Sequence, residues 1–69
     1  MPLYFANSGE TNIVKKIKGK DDTKRFLESL GFVEGGDVTI VSKIGGNLIV
    51  NVKDSRIAIS KSMATRIEI

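Results

Sequence analysis

The run Leu30-Gly31-Phe32-Val33-Glu34-Gly35-Gly36-Asp37-Val38 constrains this chain more than any other segment. It places a helix stop, a tight turn and a strand start within nine consecutive positions. Upstream of it, Thr23, Phe26, Leu27 and Leu30 form an apolar arc at about 100° per residue, which predicts a helix over residues 22–30. Gly31 follows the last apolar position. There a glycine takes a left-handed conformation at little steric cost, so that Phe32 or Val33 folds back on the final helical turn. Gly35-Gly36-Asp37 then turns the chain, and Val38 opens a β-rich half.

The remaining periodicity is that of short strands. Residues 11–18 read as one strand, with a bulge at Lys15-Lys16 that brings Val14 and Ile17 to the same face. Residues 38–43 and 48–53 read as a hairpin around Gly45-Gly46. Asp54-Ser55 is predicted to turn the chain into a further strand over residues 56–59. Ser60 is placed to cap a single helical turn through Met63-Ala64-Thr65, and residues 66–69 close the chain with alternation. About five strands with one short helix after the first, joined by connections of few residues, predict a mostly β small barrel. Its expected core is Val14, Ile17, Leu30, Val38, Ile40, Leu48, Val50, Val52, Ile57, Ile59 and Ile67.

Composition narrows the chemistry. Sixty-nine residues suit a single domain, 1–69, and a chain this small buries only ~60% of the surface its unfolded form exposes. That leaves no room for a deep cleft between lobes. The chain has neither cysteine nor histidine, which excludes disulfides, thiolate or imidazole metal sites, and Ser-His or Cys-His nucleophile pairs. Its hydroxyl residues lack a histidine base, and a Ser60–Lys61 pair would need a buried lysine, so no enzyme is expected. Its acidic residues are scattered. Asp21-Asp22 reads as a helix N-terminal cap with dipole complementarity, and no metal site or cofactor is expected. No apolar stretch approaches the ~20 residues of a membrane span, and no signal-peptide pattern opens the chain, so the expected location is cytoplasmic.

The net charge is +3. Six of the eleven basic residues (Lys15, Lys16, Lys18, Lys20, Lys24 and Arg25) fall within eleven positions. Such a stretch can serve nucleic acid, an anionic surface or an acidic protein. The few aromatics, Tyr4, Phe5, Phe26 and Phe32, leave little for base stacking.

Taken in order, the helix ending Leu30-Gly31-Phe32, then Gly35, the two hairpin strands, Ile57-Ala58-Ile59, Met63-Ala64 and Ile67-Glu68-Ile69 resemble the ferrous iron transport protein A family. They are also similar to the SH3-like C-terminal domain of iron-dependent repressors. The resemblance runs from about Gly9 to Ile69, with Leu30, Gly31, Gly35 and Ala58 among its motif positions. Two turns depart from the family pattern: Glu34 stands where proline is usual, and the tip Ile44-Gly45-Gly46-Asn47 is shorter and lacks proline. The resemblance implies an SH3-like barrel and a cytosolic accessory role in bacterial ferrous iron uptake. The implied partner is the ferrous iron permease, which carries a cytosolic guanine-nucleotide-binding domain. The family label carries transition metal ion binding, although this chain has no imidazole or thiolate to offer.

Two working readings follow. The first is a protein-interaction module of the transporter. For it, the wide helical arc prevents Phe26 and Leu27 from both pointing inward, so one of them is expected at the barrel rim beside Lys24, Arg25 and Phe32. The alternative is a nucleic-acid-binding small barrel using the basic stretch from Lys15 to Arg25.

Overall fold

The computed structural model describes all residues from Met1 to Ile69. Six strands form two sheets. β1 (Thr11–Ile13), β3 (Asp37–Ile44), β4 (Asn47–Val52) and β5 (Ser55–Ser60) make a four-stranded antiparallel sheet in the order β1-β3-β4-β5. β2 (Lys16–Ile17) and β6 (Ile67–Glu68) pair antiparallel as a second sheet. Helix α1 (Asp21–Ser29) follows β2, and the short helix α2 (Lys61–Ala64) links β5 to β6.

The predicted first strand is two strands, not one with a bulge. The Val14 N–H donates to Gly36 O at 2.8 Å, and the next residue's N–H, that of Lys15, donates to Glu68 O at 2.7 Å. The chain thus leaves one sheet and joins the other within a single residue. Val14 and Ile17 both reach the core, as the three-residue spacing demands, but they do so by this change of sheet.

Two hairpins build the larger sheet. Gly45-Gly46 connects β3 to β4, with Ile44 opposite Asn47. The second turn is Lys53-Asp54 rather than Asp54-Ser55, and Ser55 is already paired with Val52. Lys53 and Asp54 both have positive φ (49° and 63°), as a two-residue type I′ turn requires. The alternative turn one residue on would have kept the same residues facing inward. Apolar alternation therefore could not choose between the two registers. In β3 a bulge between Ile40 and Ser42 shifts the register, so Lys43 lies opposite the buried Leu48.

The end of α1 follows from Gly31, which sits at φ 109°. The Phe32 N–H donates to Leu27 O at 3.1 Å and the Gly31 N–H to Glu28 O at 3.0 Å. These are the two bonds of a Schellman cap, and they bring Phe32 back over Leu27. Both side chains are fully buried. Gly35 (φ 85°) then occupies the third position of a turn closed by the Gly36 N–H on Val33 O at 3.0 Å, which is type II geometry. At the other end of α1 the aspartates do not cap. Lys20 is the N-cap and makes no side-chain bond, and Asp21 and Asp22 lie inside the first turn, where they complement the helix dipole. Ser60 does cap α2, accepting from the Met63 N–H at 3.3 Å.

Fifteen buried residues form one apolar cluster between the sheets and helices. Nine of the eleven expected core residues belong to it, while Leu30 and Ile57 are half-buried and pack against it. The cluster also contains Leu3 and Ala6. They flank the tip of a 3-10 turn over Leu3–Phe5, in a segment where no apolar period is legible. That segment is tied down by a bridge from Pro2 to Glu68.

Candidate partner-binding surface

Helix α1 is held to the barrel by a narrow stripe. Leu27 is fully buried, and Thr23 and Leu30, four residues before it and three after, are half-buried. Nine residues do not sustain a helix in water alone, so this stripe and the glycine cap are what keep it folded. One step of about 100° from Leu27 swings Phe26 out of the stripe, and Phe26 is 50% exposed. Of the Phe26-Leu27 pair, Phe26 is the member that the wide arc leaves exposed.

The rest of the expected surface is rearranged. Leu27 and Phe32 are both at 0% exposure and belong to the core, so neither can touch a partner in this fold. The sequence alone places Phe32 at the rim; the Schellman bond to Leu27 O turns it inward instead. Lys24 is half-buried on the flank of α1 opposite Phe26, and Arg25 is exposed on the outward face between them. Asp21, Lys24, Arg25 and Glu28 line a shallow open depression along the outer face. Their spacings of three and four residues set opposite charges next to one another. No pair on the helix closes to ion-pair distance, since both ion pairs of the chain are elsewhere.

Part of the basic stretch is matched by acids. Lys18 is held by Glu68 at 2.7 Å, and Lys24 and Arg25 alternate with acids on α1. Glu68 also takes the Met1 ammonium at 3.1 Å. The hydrogen bond from Lys18, and then that from the N-terminal ammonium, hold its carboxyl below the usual carboxylate range. Of the remaining motif positions, Gly31 and Gly35 shape the two turns described above. Ala58 lies exposed on the outer face of β5 opposite Ile49, so Ile57 and Ile59 carry the packing of that strand.

A model of the FeoA domain matches residues 1–69. The chain belongs to the FeoA family, whose members are accessory proteins of ferrous iron transport. It is 36% identical over 66 residues to a Methanocaldococcus jannaschii protein named for Fe(2+) transport, protein A, covering 96% of this chain and 80% of that one. Among solved structures it is similar to an iron uptake regulatory protein, FeoA, at a TM-score of 0.90 and 28% identity, covering 97% and 91% of the two chains. It is also similar to Stenotrophomonas maltophilia FeoA complexed with zinc and described as a prokaryotic SH3 domain protein. There the TM-score is 0.86 and the identity 31%, over 99% and 87%. A manganese-dependent transcriptional repressor shares the fold alone, at a TM-score of 0.88 and 17% identity over 97% of this chain and 39% of the repressor. The architecture is therefore an SH3-like barrel, and no helix is long and apolar enough to cross a membrane.

The zinc of the Stenotrophomonas protein does not carry over to these residues. This chain has no histidine or cysteine, and the fold brings no three of its carboxylates together. A transition metal would lack both its preferred donors and a cluster to hold it.

Proposed function

We propose that this chain acts in the cytoplasm as a non-enzymatic accessory protein of ferrous iron uptake. It works by contact with the membrane permease, at the permease's cytosolic guanine-nucleotide-binding domain, and it does not carry the iron. The observation that supports the contact most is Phe26. It is a large aromatic left half in solvent by a helix whose other apolar residues are turned inward, and the exposed Arg25 precedes it in the chain. An exposed aromatic rimmed by charge is the usual make-up of an interface anchor. Family membership supplies the transport context.

Co-purification with the full permease in detergent, with and without guanine nucleotide, tests the contact. Retention of the chain on the permease is expected. A Lys24→Glu/Arg25→Glu variant should associate more slowly while its dissociation changes little, because rim charges act mainly on the encounter rate. Failure of the wild-type chain to be retained in either nucleotide state would contradict the proposal.

A further inference from the structure

A second surface lies where the N-terminal segment meets β3 and α2. Leu3 and Ala6 are buried and fix the 3-10 turn, which holds Tyr4 half-buried and leaves Phe5 59% exposed. The Phe5 ring meets Tyr4 edge-on, at 5.8 Å between centroids and 81° between planes. The β3 bulge turns Lys43 to the face that Tyr4 covers, and its ammonium stands over the Tyr4 ring at 5.1 Å. Lys61 opens α2, where its N–H is anchored on Gly46 O at 2.8 Å, and its ammonium stands over the same ring at 5.2 Å.

Two ammonium groups thus converge on one tyrosine. Each gains from the ring's π face, but they repel one another. Neither has a carboxylate within ion-pair distance, because both ion pairs of the chain lie at Glu68. The corner therefore presents uncompensated positive charge beside an exposed aromatic ring. The outer face of α1, by contrast, carries its own counter-charges.

We infer that the Tyr4-Phe5-Lys43-Lys61 corner is a docking site for an acidic protein segment that carries an apolar side chain. Carboxylates of the segment meet Lys43 and Lys61, and its apolar side chain packs on Phe5. A base has one well-exposed ring to stack on here, that of Phe5. Two cations are also few for a phosphate backbone. This site is independent of the α1 contact proposed above.

The chain carries its own reporter. Tyr4 is its one tyrosine and there is no tryptophan, so intrinsic emission reads this corner directly. The probe is a synthetic peptide of glutamates flanking one phenylalanine and one leucine. Its glutamine counterpart, a single-stranded oligonucleotide and phosphatidylglycerol vesicles serve as comparisons. The glutamate peptide is expected to change Tyr4 emission saturably and to shift the amide resonances of Tyr4, Phe5, Lys43, Gly46 and Lys61. The glutamine peptide, and the Lys43→Glu/Lys61→Glu variant with the glutamate peptide, should each bind at least about tenfold more weakly. Lys43→Arg/Lys61→Arg should retain binding, and Phe5→Ala should lose several-fold. The inference is overturned if emission stays flat to about 1 mM peptide, or if the shifts fall on α1. It is equally overturned if vesicles or oligonucleotide saturate the signal while the peptide does not.

Discussion

Phe26 and Leu27 are neighbours in sequence with opposite environments, and alanine at each should separate binding from stability. Leu27 is fully buried and anchors the Schellman cap, so Leu27→Ala removes its packing and leaves a cavity beneath the helix. Such truncations cost about 2–5 kcal/mol. A chain of this length has about 3–10 kcal/mol in total, at about 0.05–0.15 kcal/mol per residue, so Leu27→Ala is expected to stand at or near its unfolding threshold. Phe26 keeps half its surface in water, so Phe26→Ala loses only part of a transfer term of about 1.5–3 kcal/mol and opens no closed cavity. A loss of about 1 kcal/mol or less lowers Tm by no more than about 4–8 °C in a domain of this size. At an interface the same truncation should cost about 2 kcal/mol or more, roughly 30-fold in Kd. Denaturant unfolding gives the stability and titration against the detergent-solubilised permease gives Kd. The reasoning is refuted if Phe26→Ala destabilises the fold as much as Leu27→Ala. It is also refuted if Phe26→Ala binds the permease like the wild type.

Other expectations follow from the turns and from Glu68. Glu34 takes the first central position of a type II turn, and its N–H makes no backbone hydrogen bond, so Glu34→Pro should raise stability by about 0.4–1 kcal/mol in a denaturant titration. Gly35→Ala should lower it by about 1–2 kcal/mol through backbone strain alone, because an added Cβ there meets no atom within 4 Å. Lys18 and the N-terminal ammonium depress the Glu68 carboxyl, so its contribution is present at neutral pH and is lost as acidification passes below the ordinary carboxylate range. Glu68→Gln should flatten that part of the stability-against-pH curve, and an unchanged curve would show that the pair contributes nothing.

Where local chemistry decided the outcome, the fold was legible in the residues. Leu27, Gly31 and Phe32 specify the helix end, Gly45-Gly46 the hairpin, and Ser60 the cap of α2. Alternation found the inward residues of β3, β4 and β5 because one face of that sheet is buried. The rest was set by partners distant in sequence. The split at Val14–Lys15 depends on carbonyls offered by Gly36, just before β3, and by Glu68 in β6. The buried role of Leu3 and Ala6 depends on a bridge from Pro2 to Glu68. At the candidate surface, helical spacing foretold that Phe26 and Leu27 would part. It could not weigh the cap that draws Phe32 inward, and a sequence cluster of lysines does not reveal that one is claimed by Glu68. The convergence of Lys43 and Lys61 on Tyr4 left no local signal, since the three residues come from separate elements.

The central claim, that this chain serves iron transport by contact and not by carrying the metal, is tested most directly by anaerobic calorimetry at neutral pH. Fe(2+) is titrated into the chain alone, and the chain is then titrated into the detergent-solubilised permease. No specific heat is expected from Fe(2+), and a saturable isotherm is expected with the permease. Stoichiometric Fe(2+) binding tighter than about 10 µM, with no heat from the permease, would contradict it.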